Sequence, residues 1–303
     1  DNSNTSERLS CEMRVGINYP WRDYGWDFGD APPAWRRRDS RPAWCAEVDA
    51  DLAAFQQLGL SVIRWFILGD GLTCGTGADA PRLTDDGAWR YDPVPLTTSF
   101  LDHFTDLVAR LAHVNRGQRR ALRLLPVLID FHACRPGRVV EDTGGQWVKG
   151  GRADLITDAP RRAAFLDGVL EPLLAVSSTY RRSIYAWEVM NEPEWITRGW
   201  HPTDPAPDGG VDVPSMTAFL TEAQARIRRA GFRATVGFAS AETLARSGIA
   251  SDLQQFHYYP DGRVSLPAQA RSGRTPTIVG EFATNEADVW PELGTGAQDV
   301  ESR

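Results

Sequence analysis

Acidic, amide and aromatic side chains crowd the nine-residue stretch WEVMNEPEW, from Trp187 to Trp195. This stretch follows the apolar run SIYA, and another glutamate, Glu281, closes the apolar run TPTIVGEF. A strand that ends in a glutamate brings a carboxyl group to the edge of a sheet. Two such groups that face each other can cleave a glycosidic bond, because one protonates the leaving oxygen while the other attacks the sugar or activates water.

Seven short runs, rich in apolar and β-branched residues, predict strands over 13–19, 60–68, 122–131, 183–191, 232–239, 253–259 and 275–282. Between several of these runs, apolar residues recur every three or four positions. This period predicts helices over 47–58, 99–114, 160–176 and 214–230. Gly59 and Gly231 stand where the C-caps of two of these helices belong.

Strands that are apolar along their whole length and alternate with helices indicate a parallel sheet covered by helices. A doubly wound nucleotide-binding sheet is the first alternative. Its first strand would lead into a glycine-rich phosphate loop, whereas the first strand here leads into PWRDYGWDFGD. We therefore expect a (β/α)8 TIM-type barrel that forms a single domain over residues 1–303, with a polar tail at 1–12. Because 21 of the 303 residues follow Phe282, we expect the eighth strand to be missing or truncated.

Composition excludes several classes of partner. The formal net charge is −7, and local basic clusters occur only in WRRR and RGQRR, which argues against a nucleic-acid partner. No apolar run approaches the ~18 residues of a membrane span, so we expect no membrane association. We expect a monomer. The polar N-terminal run is compatible with secretion, and a cytoplasmic location is the alternative.

The cysteines and histidines do not follow metal-binding patterns. Cys11, Cys45, Cys74 and Cys134 lack CxxC spacing and predict no zinc site. A disulfide between Cys74 and Cys134 and buried free thiols are both left open. His132, His257 and Asp130 would be the donors of a barrel metalloenzyme, but they lack HExxH spacing. We therefore expect neither a metal nor an organic cofactor.

Polar residues stand at the carboxyl ends of the predicted strands, where the loops of a barrel meet around its axis. Any one of them alone is more often structural than catalytic. As an acid, Glu192 would need a raised pKa to hold its proton, whereas Arg64 and Tyr259 near Glu281 would keep that carboxyl ionised. The complete set is Arg64, Asp70, Asp130, His132, Asn191, Glu192, His257, Tyr259 and Glu281.

Five short motifs now point to a family. NEP at 191–193 and GEF at 280–282 resemble the signatures of the retaining glycoside hydrolases of clan A. With IRW at 63–65, DFH at 130–132 and HYY at 257–259 added, the chain is most similar to family 5, the cellulase and mannanase group. NEP alone is a weak signal, but five motifs in order at five strand ends are specific. The similarity extends over about residues 13–290.

The resemblance implies a role for each matching residue. Glu192 corresponds to the acid/base, Glu281 to the nucleophile and Asn191 to the contact with the sugar 2-hydroxyl. The supporting residues that it implies are Arg64, His132, His257 and Tyr259. The family also places a tryptophan at the end of its eighth strand, which lies beyond the seven strands predicted here.

Aromatic residues add an independent indication of a sugar ligand. Of the 11 tryptophans, nine fall in segments that follow predicted strands, and flat rings suit the C–H faces of pyranose rings. We expect half of the nine to pack inside loops, and Trp21, Trp195 and Trp290 to contact substrate. In the opening stretch, Glu188 lies deeper in its strand and is expected to pair with a buried cation, while Glu194 is expected to line the loop.

Together these observations predict a retaining β-glycoside hydrolase that cleaves a β-linked glucan, mannan or related oligosaccharide by double displacement. The predicted partner is an oligosaccharide or polysaccharide substrate. The alternative is a carbohydrate-binding barrel that keeps the cleft and has little or no activity.

Overall fold

The computed structural model describes residues 14–23, 27–29, 41–69, 82–83, 89–90, 96–142, 145–200, 210–259 and 275–282. Its strands are β1 (Gly16–Asn18), β2 (Val62–Leu68), β3 (Arg82–Leu83), β4 (Trp89–Arg90), β5 (Arg123–Asp130), β6 (Arg138–Asp142), β7 (Gly145–Lys149), β8 (Trp187–Asn191), β9 (Ala234–Gly237), β10 (Gln254–Tyr258) and β11 (Thr277–Phe282). Its α-helices are α1 (Arg41–Gln57), α2 (Thr98–Val114), α3 (Phe131–Cys134), α4 (Asp154–Thr157), α5 (Ala159–Phe165), α6 (Glu171–Thr179), α7 (Val213–Arg229) and α8 (Ala241–Ser247).

Seven of these strands form a parallel array in chain order. Five of them pair as β1-β2-β5-β8-β9, and β10 pairs with β11. A parallel bridge between Phe238 and Phe256 joins the two groups, and the His257 amide donates to the Phe238 carbonyl at 2.8 Å. Among the described residues, no strand connects β11 back to β1. The fold is therefore a partial (β/α)8 barrel, as the alternation of strands and helices predicts.

The central strands are buried on both faces, as is typical of a parallel sheet. All five residues of β8 and seven of the eight residues of β5 are buried. A strand buried on both faces needs cover on both sides, which the helices and the barrel interior supply. The helices present apolar faces to the sheet, and α2 buries Phe100, Phe104, Leu107, Val108 and Leu111 at spacings of three and four.

Side-chain caps and glycines set the ends of the helices. Thr97 accepts a bond from the Phe100 amide ahead of α2, and Asp212 accepts one from the Ser215 amide ahead of α7. Gly59 and Gly231 have φ angles of 74° and 80°, in the left-handed region that favours glycine. The two predicted C-caps are therefore confirmed.

Three features differ from the predicted pattern. α1 begins at Arg41 instead of residue 47, because Pro42 near its first turn is compatible with a helix start. The helix predicted over 160–176 is divided by a π-helical segment, Leu166–Leu170, between α5 and α6. Two antiparallel hairpins, β3–β4 and β6–β7, were not predicted, because strands of two to five residues in connecting segments leave little periodic signal.

The cysteine and tryptophan predictions have mixed outcomes. Cys45 is a free thiol that donates to Asp106 at 3.3 Å. Cys134 is buried, while Cys11 and Cys74 lie outside the described residues, so a disulfide between Cys74 and Cys134 and buried free thiols both stay open. Trp44 lies in α1 and is buried, so it packs in the protein interior instead of lining the barrel mouth. No helix within the described ranges is both long and apolar enough to cross a membrane.

A buried carboxyl group, Asp27, anchors the segment after β1 to the barrel. Its oxygens accept from the indole N–H groups of Trp44 at 2.8 Å and Trp65 at 2.9 Å. They also accept from the backbone amides of Arg22 and Asp23 at 2.8 and 2.7 Å. Burial raises the pKa of Asp27 to about 6, although these hydrogen bonds oppose the rise. Four donors converging on one carboxyl group leave no space for a further donor.

Asp27→Asn is expected to lower the free energy of unfolding by about 1–3 kcal/mol, because the new amide N–H₂ group would face donors that need an acceptor. Urea denaturation at neutral pH measures the change. Asp49→Asn is the matched control, since Asp49 is an exposed aspartate paired with Arg110, and its replacement should change stability by less than about 0.5 kcal/mol. Equal stability of Asp27→Asn and the unsubstituted protein would contradict the anchoring role.

Candidate active site

The two glutamates at the ends of β8 and β11 lie on opposite sides of a short gap. Glu192 directly follows β8, and Glu281 is the fifth residue of β11. Although β9 and β10 separate these strands in the sheet, one carboxylate oxygen of each glutamate and one ring nitrogen of His257 lie within 4.8 Å of one another. Curvature of the sheet therefore brings the two carboxyl groups together.

Positive charge and hydrogen bonds surround Glu281. Arg64 Nη1 donates to its Oε1 at 2.5 Å, and the Tyr259 hydroxyl donates to Oε2. His257 Nδ1 lies 3.8 Å from Oε2. Burial alone would raise the pKa of Glu281, but His257, Arg64 and the Tyr259 hydrogen bond outweigh burial and hold that pKa below its ordinary value. At neutral pH the Glu281 carboxyl is therefore ionised.

Glu192 has different partners. Its Oε1 lies 2.6 Å from His257 Nδ1, and its Oε2 accepts from the indole N–H of Trp195 at 2.8 Å. The backbone of Glu192 has φ of 46° and ψ of 55°, and its amide donates to the Gly237 carbonyl at 2.6 Å. The left-handed backbone turns the chain sharply out of β8, so the Glu192 carboxyl is held by a ring nitrogen and an indole instead of a guanidinium.

Arg64 lies at the third position of β2, so the prediction that it follows the strand was wrong. Its side chain is buried and makes a two-pronged pair with Glu188, with both N–O distances at 2.7 Å. Nη2 also donates to Asn191 Oδ1 at 2.7 Å, and Nη1 to Asn18 Oδ1 at 3.1 Å. The prediction that Glu188 pairs with a buried cation is confirmed.

Two glycines make room for these side chains. Gln255, on β10, donates to Glu188 Oε2 at 2.7 Å. A Cβ atom at Gly280 would lie 2.6 Å from Gln255 Nε2 and 3.1 Å from His257 Nε2, and a Cβ at Gly237 would collide with Glu188 Oε1. The glycine that precedes Glu281 therefore leaves the space that the His257 ring occupies.

The remaining predicted residues differ in their contacts. His132 contacts Asp130 Oδ1 through Nδ1 at 3.0 Å and stacks on Phe131 with ring centroids 4.1 Å apart, so its contacts are not with the glutamates. Trp21 is 39% exposed and packs on Phe66. Trp195 packs on Phe131. Asp70 and Trp290 lie outside the described residues.

A cavity of about 680 Å³ opens beside His257 and Tyr259, between the end of β10 and α8. Ser240, Glu242 and Arg246 contribute polar groups to its wall. Because His257 also contacts Glu192, this space adjoins the paired glutamates. Its size is in the range of sites that bind small molecules.

Glu192, His257 and Glu281 are also the described residues whose atoms lie close enough together to hold a metal ion. His132 and Asp130 are not part of this group. The Arg64 guanidinium already donates to Glu281, and a second cation at the same carboxylate would be repelled by this charge. The contacts of the group therefore fit paired carboxyl groups better than a metal centre.

Sequence reasoning missed several contacts of the site. Glu194, expected to line the loop, is fully buried, which corrects that prediction. The bond from Trp195 to Glu192 and the role of Gln255 were also missed. Gln255 stands two positions before His257 on the same strand, so strand parity is the signal that would have placed both on one face.

Solved structures share this fold. The β-mannanase from the blue mussel Mytilus edulis has 15% identity and a TM-score of 0.58, and the match covers 96% of this chain and 92% of that one. The β-1,4-mannanase from the sea hare Aplysia kurodai has 20% identity and a TM-score of 0.59, with 89% and 80% covered. The β-1,4-D-mannanase from Cryptopygus antarcticus has 18% identity and a TM-score of 0.56, with 89% and 76% covered.

These likenesses confirm the predicted barrel fold. No protein-family model matches the sequence. No curated protein matches it either.

Gly280→Ala is expected to lower the free energy of unfolding by about 1–3 kcal/mol and to displace His257 from Glu192, because the added methyl group overpacks the space beside both Gln255 and His257. Chemical denaturation measures the first effect, and the ¹⁵N chemical shifts of the His257 ring measure the second. Gly69→Ala is the matched control, since a Cβ at Gly69 meets no atom within 4 Å and its φ is not positive. If both substitutions have the same small effect, the packing argument is wrong.

Proposed function

We propose that this protein is a retaining β-glycoside hydrolase that acts on a β-linked mannan, glucan or related oligosaccharide. One observation carries the proposal: two carboxyl groups from β8 and β11 meet within 4.8 Å and have different electrostatic surroundings. Retaining glycosidases hold their carboxyl groups ~5–5.5 Å apart, whereas inverting ones leave ~6.5–9.5 Å for a water molecule. The short gap between Glu192 and Glu281 favours retention.

In this mechanism Glu281 is the nucleophile. Its ionised oxygen attacks the anomeric carbon while Glu192 donates a proton to the departing glycosidic oxygen, which forms a covalent glycosyl ester and releases the first product. Glu192, now a carboxylate, then takes a proton from water, whose oxygen displaces Glu281 from the anomeric carbon. The second product has the original anomeric configuration, and both glutamates return to their starting states.

Neighbouring side chains support these roles. Arg64 and Tyr259 stabilise the negative charge on Glu281 before attack and as the ester breaks. Arg64 donates to the side-chain oxygen Oδ1 of Asn191. The side-chain N–H₂ group of Asn191 is then left to donate to the sugar 2-hydroxyl. We assign His257 to positioning Glu192, and His132 to supporting the ring of Phe131 beneath Trp195.

The substrate class follows from the aromatic residues and the structural relatives. Trp21 and Trp195, with Trp290, are proposed to stack on sugar rings. Three relatives of the same fold are named β-mannanases, which makes a β-linked mannan the first substrate to assay. β-Glucan and xylan complete the panel, because the fold alone does not choose among sugars.

Glu281→Gln is expected to lower kcat on the best substrate of this panel at least ~10³-fold, and Glu192→Gln is expected to lower it ~10²–10⁴-fold, the typical range for a general acid. Glu171→Gln is the matched control, because Glu171 is a surface glutamate paired with Arg226 and Arg229. The kcat of this variant should equal that of the unsubstituted protein. Release of reducing sugar measures turnover, and ¹H NMR of the product released from Glu281, recorded before mutarotation, shows its anomeric configuration.

Several outcomes would count against the proposal. Inversion of the anomeric configuration would exclude the double displacement. Sugar binding by the unsubstituted protein, without hydrolysis that the two substitutions abolish, would instead support the alternative of a carbohydrate-binding barrel. Loss of activity to a chelator would favour a metalloenzyme.

Tyr259→Phe is expected to move the acidic limb of kcat/KM to higher pH. The Tyr259 hydroxyl helps to keep the pKa of Glu281 low, so its removal raises that pKa and protonates the nucleophile at a higher pH. The expected change is therefore an upward shift of the acidic limb, measured from kcat/KM across the acidic pH range. Tyr19→Phe is the control, since the Tyr19 hydroxyl donates to Asp51 instead of to Glu281. An acidic limb that does not move would show that Tyr259 does not tune Glu281.

A further inference from the structure

Glu194 has no part in the mechanism above, yet it is one of the most deeply buried ionisable residues that the structure describes, with 0% of its surface exposed. It lies two residues after Glu192, in the 3₁₀ turn Pro193–Trp195. Its Oε1 accepts a hydrogen bond from the backbone amide of Ala239 at 2.7 Å. Ala239 follows the end of β9, so this bond joins the turn after β8 to the exit of the neighbouring strand.

Glu192 needs such support because its backbone is strained. Among the described residues it is the one non-glycine residue with a positive φ. For a residue with a Cβ, the left-handed conformation costs roughly 1–2 kcal/mol and persists only where surrounding contacts hold it. Two bonds hold it here: the Glu192 amide binds the Gly237 carbonyl at 2.6 Å, and the Glu194 side chain binds the Ala239 amide.

We propose that Glu194 is a positioning residue for the acid/base: its bond to Ala239 fixes the turn after β8 against the exit of β9 and so keeps Glu192 in reach of His257 and Trp195. The proposal rests on the function proposed above for Glu192. Without the Glu194 bond, the turn would keep only one of its two hydrogen bonds to the C-terminal end of β9. The Glu192 carboxyl would then sample positions away from the anomeric carbon.

The protonation state of Glu194 suits this role. Burial raises the pKa of Glu194 to about 8. At neutral pH the group is therefore a neutral acid, which adds no negative charge to the turn that carries Glu192. The groups that face it from the exit of β9 are the backbone amides of Ala239 and Ser240. Its other oxygen, Oε2, has no hydrogen-bond partner among the described residues, which costs less for a neutral carboxyl than for a carboxylate.

The positioning role predicts different kcat values for Glu194→Gln and Glu194→Ala. Glu194→Gln keeps the size, the neutral charge and a carbonyl oxygen for the Ala239 amide, so it should preserve kcat within about 3-fold. Glu194→Ala removes the acceptor, and a misplaced catalytic group can cost up to ~10²-fold in rate. We expect kcat to fall about 10- to 100-fold with KM changed less than about 3-fold, because the acid/base moves while the sugar contacts remain. Glu194→Asp, which is one methylene too short to reach Ala239, should behave like Glu194→Ala and covers the case in which the alanine variant does not fold.

The experiment combines kinetics with NMR of the full chain. Hydrogen exchange of the Ala239 amide and the ¹⁵N shifts of the His257 ring are recorded for all variants. We expect slow Ala239 exchange in the unsubstituted protein and in Glu194→Gln, with fast exchange and shifted His257 signals in Glu194→Ala and Glu194→Asp. Glu222→Gln is the control, since Glu222 is an accessible glutamate paired with Arg162.

The results distinguish this inference from the proposed function. If the unsubstituted protein hydrolyses none of the substrates, the proposed function fails, while the Ala239 and His257 signals still decide whether Glu194 positions Glu192. The positioning role is overturned if Glu194→Ala and Glu194→Asp leave both NMR signals unchanged. It is also overturned if Glu194→Gln loses as much activity as Glu194→Ala, since a negative charge, and not the hydrogen bond, would then be required.

Discussion

One buried cation, the guanidinium of Arg64, connects four strands of the barrel. It extends from β2 to Asn18 at the end of β1, to Glu188 and Asn191 on β8 and to Glu281 on β11. Removing one partner of a buried ion pair typically costs ~3–5 kcal/mol, because the other charge is left without compensation. Any shift of one of these strands along another would unpair Arg64. The contacts that hold the curved sheet together therefore also set the place of the Glu281 carboxyl group.

Space is the second constraint on the site. Parallel strands lie about 4.8 Å apart, and residues that point to the barrel interior from neighbouring strands compete for the same volume. Because Gly237 on β9 and Gly280 on β11 have no side chain, they leave this space to Glu188, Gln255 and His257. Glu188, Gln255 and His257 thus each lie beside a strand position that has no side chain. The GEF motif therefore contains both the glycine that leaves space for His257, Gly280, and the carboxylate of the site, Glu281.

Much of the fold could be predicted from the sequence, because strand and helix periods are local signals. All seven barrel strands were predicted at their places, and the helix C-caps at Gly59 and Gly231 follow from the φ angles that glycine permits. The hairpin β6–β7 could not be predicted in the same way, since its pairing depends on the turn between two short strands. Arg64 was misplaced by the assumption that every polar residue of a barrel strand stands at its end.

The site was less predictable than the fold, because polar contacts depend on which residues the curved sheet brings together. Glu188, Glu192 and Glu194 lie within seven consecutive residues, yet they have three different environments. Glu188 faces a guanidinium, Glu192 faces an imidazole and an indole, and Glu194 faces a backbone amide. Strand parity would place all three on one face, and it fails after Glu192, because the left-handed backbone there turns the chain out of the strand.

The chemical difference between Glu192 and Glu281 follows from the same geometry. Glu281 remains on a strand, where the interior cation of β2 can reach it, and its pKa is held low. Glu192 is lifted past the end of β8 by its left-handed turn, so Arg64 reaches Asn191 just before it but is paired with Glu188 and Glu281 instead of with Glu192. The left-handed backbone at Glu192 thus gives the two carboxyl groups different partners: an arginine and a tyrosine for Glu281, a histidine and an indole for Glu192.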